Sequence, residues 1–484
     1  MKAGAALCVL GWILAGLALS MLVPAFTALL AGDPGNAKIF LNAAAVSGFF
    51  AGAMITGLRG KEAELNLRGA LLLIFLVWTA LPVFAAAPIY YSGVSFSASK
   101  ALFEAVSGLT TTGATVLTHL ERKPEAILVW RALLQWQGGF FTIIAASSIF
   151  NALEIGGGQL QYAAMPHGAG ETLFGRIRQG VRPLLVIYSL LTLSCFLGLW
   201  AAGLPRFDAF CHALSAVSTG GFSTRDGSIG AFHSPLAEMV LALFMLLGAM
   251  NMVLHWAAVN GRWRGYSLDP EMRYLGIACL VAAASLFIAL FTSDYSEGRG
   301  PVRWALFNSI SFLTTSGFWT GNTAGAPAII GILLCIAVLV GGATGSTSGG
   351  FKLMRIGLIL KQGWLELARL TGPNAILRLR YGGARVSQSQ IAGVWVVFTA
   401  FIFVLGVGVA AISLTGPNFE QSFAIAAASI ANAGPVAGVF FTEPVTPYAR
   451  LPEAARALAM IGMIMGRMEV LTVLTLLSPA FWRS

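Results

Sequence analysis

Residues Ala105-Val-Ser-Gly-Leu-Thr-Thr-Thr-Gly113 form a short motif that recurs, without gaps, at three further places in the chain. Each copy ends in glycine, carries Thr or Asn two residues earlier, and has an aliphatic residue four positions before the glycine. The glycines follow one another at intervals of 108, 96 and 117 residues, which indicates a repeated unit of this size. The other copies are Ala213-Leu-Ser-Ala-Val-Ser-Thr-Gly-Gly221, Ser309-Ile-Ser-Phe-Leu-Thr-Thr-Ser-Gly317 and Ala426-Ala-Ala-Ser-Ile-Ala-Asn-Ala-Gly434.

Long apolar runs surround each motif in the same order. One run precedes the motif, a short mixed segment leads into it, and a second run follows. This order predicts a span, a short pore helix, a turn and a span, which together make a re-entrant pore loop. One such motif alone would be typical of helix packing, whereas four at equivalent places favour a pore. The preceding runs are residues 71–87, 184–204, 275–291 and 394–414, and the following runs are 126–150, 236–259, 328–340 and 454–477.

The residue types in the four motifs suit a dehydrated cation. Backbone carbonyl oxygens of an extended chain can replace the water around such an ion, and glycine permits the positive φ that this conformation requires. Each pore helix would direct its negative C-terminal end at the centre, and no motif contains a carboxylate, so we expect a monovalent cation. The predicted selectivity-filter residues, which would hold the ion, are Thr110, Thr111, Thr112, Gly113, Ser218, Thr219, Gly220, Gly221, Thr314, Thr315, Ser316, Gly317, Ala431, Asn432, Ala433 and Gly434.

The composition is that of an integral membrane protein. The chain has 484 residues, of which 57% are hydrophobic and 10% are charged, and its mean hydropathy is +0.78. Soluble domains carry about 25% charged residues, so disordered chains, coiled coils and soluble enzymes fit poorly. At about 20 residues per span, the length accommodates roughly 10–14 membrane segments. We therefore expect an all-α polytopic membrane protein.

Two further apolar runs precede the first unit. The run 5–30 is far longer than the h-region of a signal peptide, which is about 7–15 residues. We interpret it as a span that a short turn at 33–36 joins to a second span at 39–58. The expected division is two N-terminal transmembrane helices in residues 1–60 and four pore units in residues 61–165, 166–262, 263–385 and 386–484.

The charged residues orient the chain and exclude several partners. The loops 59–68, 176–182, 262–273 and 361–385 are rich in Arg and Lys, which predicts that they lie on the cytoplasmic side. The net charge of +10 is scattered between spans, so it does not indicate nucleic acid. The five cysteines contain no CxxC pair and lie in apolar surroundings, so we expect no metal or disulfide chemistry and no cofactor in this chain.

These features resemble the TrkH/KtrB superfamily of potassium uptake proteins, and the TrkH branch most closely, because of the two N-terminal spans. The resemblance covers nearly the whole chain. It rests on Gly108-Leu-Thr-Thr-Thr-Gly-Ala114, Trp130-Arg-Ala-Leu-Leu-Gln-Trp-Gln-Gly-Gly139, Gly220-Gly-Phe-Ser-Thr-Arg-Asp226, Gly341-Gly-Ala-Thr-Gly-Ser-Thr-Ser-Gly-Gly350 and Gly466-Arg-Met-Glu469.

The resemblance implies K+ uptake across the cytoplasmic (inner) membrane, through four units around one central pathway in each subunit of a homodimer. It also implies a cytosolic regulatory subunit of the TrkA type, whose nucleotide-binding domains act on a gate. The fourth motif departs from the others, because Ala431, Asn432 and Ala433 replace their hydroxyl residues. Transport of Rb+ or Na+ in addition to K+ therefore stays an open alternative.

Residues 341–350 interrupt the second run of the third unit. Five glycines and four hydroxyl residues among ten cannot form a stable helix, so we expect a flexible loop with little packing inside the membrane. The resemblance places this loop just below the filter, as a gate. A phosphate-binding loop is the alternative, but Phe351 stands where that motif requires lysine. The predicted gate residues are Gly341, Gly342, Ala343, Thr344, Gly345, Ser346, Thr347, Ser348, Gly349 and Gly350.

Arg467 lies inside an apolar run, where a charge is costly and marks a functional residue. Two interpretations stay open. Arg467 faces the pore as a charge barrier, as the resemblance suggests, or it is structural and pairs with Glu469 or loop carbonyls. Residues two apart on a helix do not face each other, which disfavours a simple pair with Glu469. We also expect Gln135, Trp136 and Gln137 to pack against the first pore loop.

Two other functional classes compete with a channel-like potassium transporter. A secondary transporter built from inverted repeats would show a twofold pattern with paired broken helices, whereas this chain has four units of one kind. A membrane enzyme would need a nucleophile cluster or metal-ligand spacing, and the sequence has neither. No buried carboxylate relay stands out either, so coupling to H+ or Na+ stays open.

Overall fold

The computed structural model describes residues 3–95, 97–150, 172–293, 300–321, 326–372, 378–441 and 447–482. These residues are predominantly helical, as the sequence predicts. Their only β-structure is a short antiparallel hairpin on the predicted cytoplasmic side, β1 Arg380–Tyr381 and β2 Ala384–Arg385.

The chain begins with a helical hairpin. Helix α1, Ala3–Ser20, is continued by α2, Leu22–Leu30, and the two form one apolar stretch of 28 residues. Helix α3, Pro34–Gly57, returns along α1, and Asp33 caps its start by accepting a hydrogen bond from the Asn36 amide at 3.0 Å. Both predicted N-terminal spans are therefore helices that are long and apolar enough to cross a membrane.

Four groups of helices follow, each with the order long helix, short helix, non-helical segment, second apolar helix. The short helices are α6, α9, α14 and α18. The first group is α4 Leu67–Thr79 with α5 Leu81–Tyr91, α6 Ala98–Leu109, and α7 Glu125–Ile144 with a π-helical turn at Ala145–Phe150. The second is α8 Leu173–Ala201, α9 Arg206–Val217, α10 Pro235–Ala249, α11 Met252–Val259 and α12 Gly265–Leu268.

The third and fourth groups complete the chain. The third is α13 Pro270–Thr292, α14 Pro301–Leu313, α15 Ala328–Val340 and α16 Leu353–Thr371. The fourth is α17 Gln388–Ser413, α18 Phe419–Ile430, α19 Pro447–Arg450, α20 Glu453–Arg467, α21 Val470–Leu477 and α22 Pro479–Trp482. Short 3₁₀ turns lie at Glu62–Glu64, Leu120–Arg122, Ser228–Phe232 and Gly434–Phe440. The expected boundary between units at residues 165 and 166 lies outside the described residues.

Fewer helices cross the membrane unbroken than the sequence length suggested. Within the described residues, seven helices are long and apolar enough to span, and two bent pairs raise the number to nine. This number lies below the estimate of about 10–14 spans, because the second apolar helix is bent in the second and fourth units and short in the third. Helices α10 and α11 meet at 99°, α20 and α21 meet at 103°, and α15 has only 13 residues.

The short helices lie inside the protein rather than in lipid. A 12-residue helix such as α6 is about 18 Å long and cannot cross a hydrocarbon core of about 30 Å. In α6, α9, α14 and α18, 33 of 49 residues are buried, whereas only 22% of the apolar window of the spanning helix α17 is buried. The four short helices therefore occupy the interior, because the backbone groups at their ends would be costly to expose to lipid.

Close helix contacts in the first group depend on glycine. Helix α7 packs on α6, and a Cβ atom on Gly138 would overlap the carbonyl oxygen of Leu109 at the end of α6. Aromatic side chains also fix the position of α7. Trp130 of α7 is fully buried, donates to the Ala85 carbonyl at 3.0 Å, and packs edge-on against Phe40 of α3.

We predict that Gly138→Ala destabilises the folded protein by about 1–3 kcal/mol through overpacking. The matched control is Gly16→Ala in α1, where no atom lies within 4 Å of the added Cβ and alanine is the better helix former. Thermal unfolding of the detergent-solubilised variants measures both effects. Equal midpoints for Gly138→Ala and Gly16→Ala would contradict the close α6–α7 contact.

Candidate functional site

The four short helices end in the same hydrogen-bonded turn. In each motif the residue two before the glycine adopts a left-handed conformation, with φ of 53°, 51°, 58° and 53° at Thr111, Thr219, Thr315 and Asn432. The next amide then bonds to the carbonyl five residues earlier, which is the Schellman ending of a helix. These bonds are Thr112 N to Ser107 O at 2.9 Å, Gly220 N to Ser215 O at 2.8 Å, Ser316 N to Ser311 O at 2.9 Å and Ala433 N to Ala428 O at 2.8 Å.

The left-handed position normally belongs to glycine, so threonine there is unusual. A β-branched residue at positive φ is strained by about 1–3 kcal/mol and persists only where the surroundings determine it. The sequence analysis assigned the positive φ to the glycines and missed these residues. The signal that could have found them is Asn432, because asparagine tolerates this conformation best among non-glycine residues.

The glycine that closes each motif abuts the next motif in the chain. A Cβ atom on Gly317, for example, would approach the ring of Pro435 at 2.8 Å. The fourth glycine contacts the first motif, so the four segments form a closed ring. The other contacts are a Gly113 Cβ against the Gly220 carbonyl, a Gly221 Cβ against the Ser316 carbonyl, and a Gly434 Cβ against the Ala114 backbone.

The glycine conformations agree with the sequence prediction at three positions. Gly113, Gly221 and Gly317 have φ of 75°, 81° and 78°. Gly434 is the exception, because its φ is not positive and Pro435 follows it at the start of a 3₁₀ turn. Its requirement for glycine comes from the close approach of Ala114 instead.

Backbone carbonyls in the ring divide into two sets. Those of Thr112, Gly220 and Gly434 accept hydrogen bonds from the Gly434 amide, the Gln135 side chain and the Tyr448 hydroxyl at 2.6, 2.7 and 3.0 Å. The carbonyls of the left-handed residues accept no hydrogen bond from the described part of the chain, although these residues are at most 1% exposed. These oxygens belong to Thr111, Thr219, Thr315 and Asn432, and among the described residues the carbonyls of Gly113, Gly221 and Gly317 likewise accept no hydrogen bond.

The fourth motif replaces hydroxyl contacts with an amide. In the first and third motifs, hydroxyls two residues apart bond to each other, Thr110 to Thr112 at 2.8 Å and Thr314 to Ser316 at 3.0 Å. Ala431 and Ala433 cannot do this, but the Asn432 amide donates to the Thr112 hydroxyl at 3.1 Å and to the Met463 carbonyl at 2.8 Å. Asn432 therefore joins the fourth motif to the first.

Of the three residues predicted to pack against the first pore loop, Trp136 and Gln137 hydrogen-bond to Thr192 and Ser20, and Gln135 hydrogen-bonds to the second motif. Its amide donates to the Gly220 carbonyl at 2.7 Å. Its oxygen accepts from Ser215 at 2.6 Å and from the Phe222 amide at 3.2 Å. The first motif instead contacts α7 one turn further along, at Gly138.

A wide cavity lies on one side of the ring. It has a volume of about 540 Å³, and Gly113, Gly221, Gly317 and Gly434 all line it. Arg131 also lines this cavity and forms a buried ion pair with Glu104 of α6, Nε to Oε1 at 2.6 Å. We call the cavity the outer vestibule.

The Glu104–Arg131 pair links the chain segments that follow the first two motifs. Glu104 accepts from the Thr115 hydroxyl at 2.8 Å and the Val116 amide at 3.0 Å. The Arg131 guanidinium donates to the Ser223 carbonyl at 3.3 Å and lies 4.0 Å from the ring centre of Phe222. Sequence reasoning missed both residues, although charges within membrane segments are a sufficient signal for a candidate site.

Residues 341–350 lie on the opposite side of the ring and break the third unit's second run, as predicted, between α15 and α16. The Gly349 amide donates to the Thr315 hydroxyl at 2.7 Å, and the Thr219 hydroxyl donates to that of Thr347 at 3.2 Å. A Cβ atom on Gly349 would overlap the Ala431 carbonyl. The loop therefore contacts the second, third and fourth motifs directly.

The expectation of a flexible, poorly packed loop is wrong for this conformation. Residues 341–349 are all buried. Thr347 donates to the Gly248 carbonyl at 2.9 Å, and the Gly345 carbonyl accepts from the Met252 amide at 3.2 Å, at the bend between α10 and α11. Glycine content favours a non-helical chain, but hydrogen bonds to the second unit and to Glu271 and Thr315 of the loop's own unit hold that chain in place.

Arg467 lines a much smaller cavity, about 40 Å³, together with loop residues from Thr344 to Gly350. The side chain is 4% exposed, and its Nε and one Nη atom have no hydrogen-bond partner among the described residues. Glu469 pairs with Arg355 instead, at 2.6 Å. The structure thus brings Arg467 and the loop together and disfavours the alternative in which Arg467 pairs with Glu469.

Comparison with known proteins gives consistent matches over most of the chain. The sequence matches the TrkH family, described as cation transport protein, over residues 38–274 and 280–484. It is 36% identical over 468 residues to the Trk system potassium uptake protein TrkH of Escherichia coli (strain K12), with 96% of each chain covered. The corresponding protein of Salmonella typhimurium is 37% identical over 429 residues, with 88% of each chain covered.

A solved structure matches the fold over its full length. The crystal structure of the potassium transporter TrkH from Vibrio parahaemolyticus superposes with a TM-score of 0.90 at 33% sequence identity, and the match covers 100% of both chains.

We predict that Arg131→Ala destabilises the protein by roughly 3–5 kcal/mol, because Glu104 is left charged and buried without its partner. The control is Arg225→Ala at the same vestibule. Arg225 pairs with Asp208 at 3.4 Å but is 39% exposed, so its loss should cost less than about 1 kcal/mol. Thermal unfolding in detergent compares the two, and similar losses would show that the Glu104–Arg131 pair does not support the vestibule.

Proposed function

The chain belongs to the TrkH family of cation transport proteins, and from this membership we propose that it takes up K+ through the ring of the four motifs. The family consists of transporters rather than enzymes, and the relatives are named potassium uptake proteins. The ring is the only place in the described chain where all four units meet around shared backbone oxygens.

The observation that carries this proposal is the set of four free carbonyls at Thr111, Thr219, Thr315 and Asn432. Buried backbone carbonyls are almost always paired, so four unpaired ones at equivalent places need a partner. A dehydrated cation supplies one, because carbonyl oxygens replace its hydration shell. We therefore assign the selectivity filter to the four motifs, with these oxygens as its central ligands and the glycines as spacers between neighbouring motifs.

The electrostatics of the ring favour a monovalent cation. Four buried helices, α6, α9, α14 and α18, end at the ring, and each brings the negative end of its dipole there. None of the four motifs contains a carboxylate, so the ring lacks the charge that a divalent ion needs. K+ is the transported ion of the proposal, and Rb+ is its experimental substitute. Na+ must be tested as a competing ion, because the fourth motif carries Asn432 where the other three carry threonine.

The simplest test of the function is growth of a potassium-uptake-deficient bacterial host in low-potassium medium. Expression of this chain, with a compatible regulatory subunit, should restore growth. Correctly inserted protein that never restores growth, or vesicles that accumulate an organic solute instead of Rb+, would overturn the proposal. The expected location is the cytoplasmic (inner) membrane, with the loops that are rich in Arg and Lys on the cytoplasmic side.

The loop 341–350 and Arg467 are proposed as two barriers on the inner side of the filter. The loop touches three of the four motifs, and only a cavity of about 40 Å³ separates it from Arg467. That volume holds a few water molecules at most, so a hydrated K+ cannot pass in this conformation. A positive charge beside the path adds an electrostatic barrier to any cation that enters.

The regulatory partner and the assembly are also proposals. Following the family resemblance, two copies form a homodimer and a cytosolic TrkA-type subunit that binds nucleotide moves the gate. The names of the relatives refer to a Trk system, which supports a partner of this kind. Such a subunit would contact the short segments on the predicted cytoplasmic face, such as α12 and the β1–β2 hairpin.

For the filter, we predict that Gly317→Ser lowers the K+ to Na+ flux ratio about tenfold while the protein still folds. The added side chain meets Pro435 and forces a left-handed backbone to carry a Cβ atom, which costs about 1–2 kcal/mol. The control is Gly416→Ser, which has φ of 124° but no neighbour within 4 Å. Liposome flux assays with both ions measure the ratio, and an unchanged ratio in Gly317→Ser would contradict the filter assignment.

For the gate, we predict that deleting residues 345–349, or replacing Arg467 by alanine, raises Rb+ uptake without partner and leaves the K+ to Na+ preference unchanged. Each change removes one barrier that lies inward of the filter, and removal of the buried charge should raise flux by about tenfold or more. Uptake into liposomes provides the measurement. If both variants fold yet conduct no more than the parent, the loop and Arg467 are not barriers.

A further inference from the structure

Glu271, the second residue of α13, is a buried carboxylate that contacts the loop 341–350 at both ends. The side chain is 2% exposed. One of its oxygens, Oε1, accepts from the Thr344 amide at 2.9 Å, the Thr344 hydroxyl at 3.1 Å and the Met354 amide at 3.1 Å. Thr344 lies within the loop, and Met354 is the second residue of the helix α16 that follows it. A single oxygen atom therefore joins the two ends of the loop.

This carboxylate is not needed for α13 to fold or to span. Helix α13 is an apolar helix of which 28% of the spanning window is buried, and its N-terminus is already capped by Asp269, which accepts the Glu271 amide at 2.8 Å. Burying a carboxylate costs free energy unless donors satisfy it, and all the donors that the described chain provides here belong to the loop and to α16. The first-turn amide of Met354 adds the positive end of a helix dipole.

We propose that Glu271 is a positioning residue that clamps the loop 341–350 against the filter motifs, so that displacement of Glu271 releases the loop and opens the path. The inference rests on the proposed function, since it specifies how the proposed gate is held shut. Charge-assisted hydrogen bonds are about twice as strong as neutral ones. Three of them on one oxygen therefore stabilise this conformation of the glycine-rich loop.

The clamp is connected to the predicted cytoplasmic face by a few residues. Helix α12 ends three residues before Glu271, and the hydroxyl of its Tyr266 lies 2.6 Å from Nδ1 of buried His255 in α11. Trp263, just before α12, is 66% exposed. A force on this segment from the cytoplasmic side would act on Asp269 and Glu271 together, and through Glu271 on Thr344. The clamp thus gives a regulatory subunit a short mechanical route to the gate.

The experiment compares three variants of the full-length protein in liposomes without partner. Glu271→Ala removes the acceptor, Glu271→Gln keeps one acceptor oxygen, and Asp269→Asn alters a neighbouring carboxylate that caps α13 but does not touch the loop. Each is made alone and with Ser346→Cys. Rb+ uptake measures the open path, and the rate at which a membrane-impermeant thiol reagent labels Ser346→Cys measures exposure of the loop. The same chains without Ser346→Cys correct for the native cysteines.

Glu271→Ala should raise both Rb+ uptake and the labelling rate about tenfold or more, with the K+ to Na+ preference unchanged. Glu271→Gln and Asp269→Asn should stay closer to the parent than to Glu271→Ala. A folded Glu271→Ala variant with parental labelling would overturn the clamp, and so would an Asp269→Asn variant as open as Glu271→Ala. Labelling does not require transport, so a clamp that fails is distinguishable from a parent that carries no Rb+, which would overturn the proposed function instead.

Discussion

The structure depends on one constraint: backbone polar groups inside a bilayer must have hydrogen-bond partners. Four helices end in the middle of the protein, where their last carbonyls and the turns that follow cannot be hydrated by bulk water. A common Schellman ending satisfies the carbonyls of residues such as Ser107 and Ser311, and it does so by forcing Thr111, Thr219, Thr315 and Asn432 into the left-handed region. The oxygens that this turn leaves over are the ones that a cation can satisfy.

Packing around the ring follows from the same constraint. The four helices that end at the ring are largely buried, and several of the long apolar helices around them, such as α8, α13 and α17, keep most of their surface exposed. Charges placed this deep need specific partners, and most have them: Glu104 with Arg131, Glu469 with Arg355, and Glu271 with the amides around the loop. Arg467 differs, because two of its side-chain nitrogens lack a partner in the described chain. In the proposed function this positive charge is the electrostatic barrier to cations on the inner side of the filter.

Much of this architecture could be predicted from the sequence, because it is encoded locally. The hydrophobic runs, the repeated motif and the glycine-rich break at 341–350 are patterns within single segments. The rest depends on contacts between segments that lie from 34 to 320 residues apart in the chain. Gln135 binds the second motif rather than the first, Gly434 is required by Ala114 rather than by its own φ, and the loop is held by Glu271 and Thr315. Left-handed threonines are likewise imposed by tertiary structure against their own preference.

The most direct test of the filter assignment is to locate Rb+ by anomalous diffraction in crystals of this protein grown with Rb+ in place of K+. The account predicts an anomalous peak inside the ring, within coordinating distance of the carbonyl oxygens of Thr111, Thr219, Thr315 and Asn432. It also predicts that this peak weakens in Gly317→Ser crystals grown under the same conditions. Rb+ that binds elsewhere in the molecule, with no peak between the four motifs of a transport-competent protein, would contradict the account.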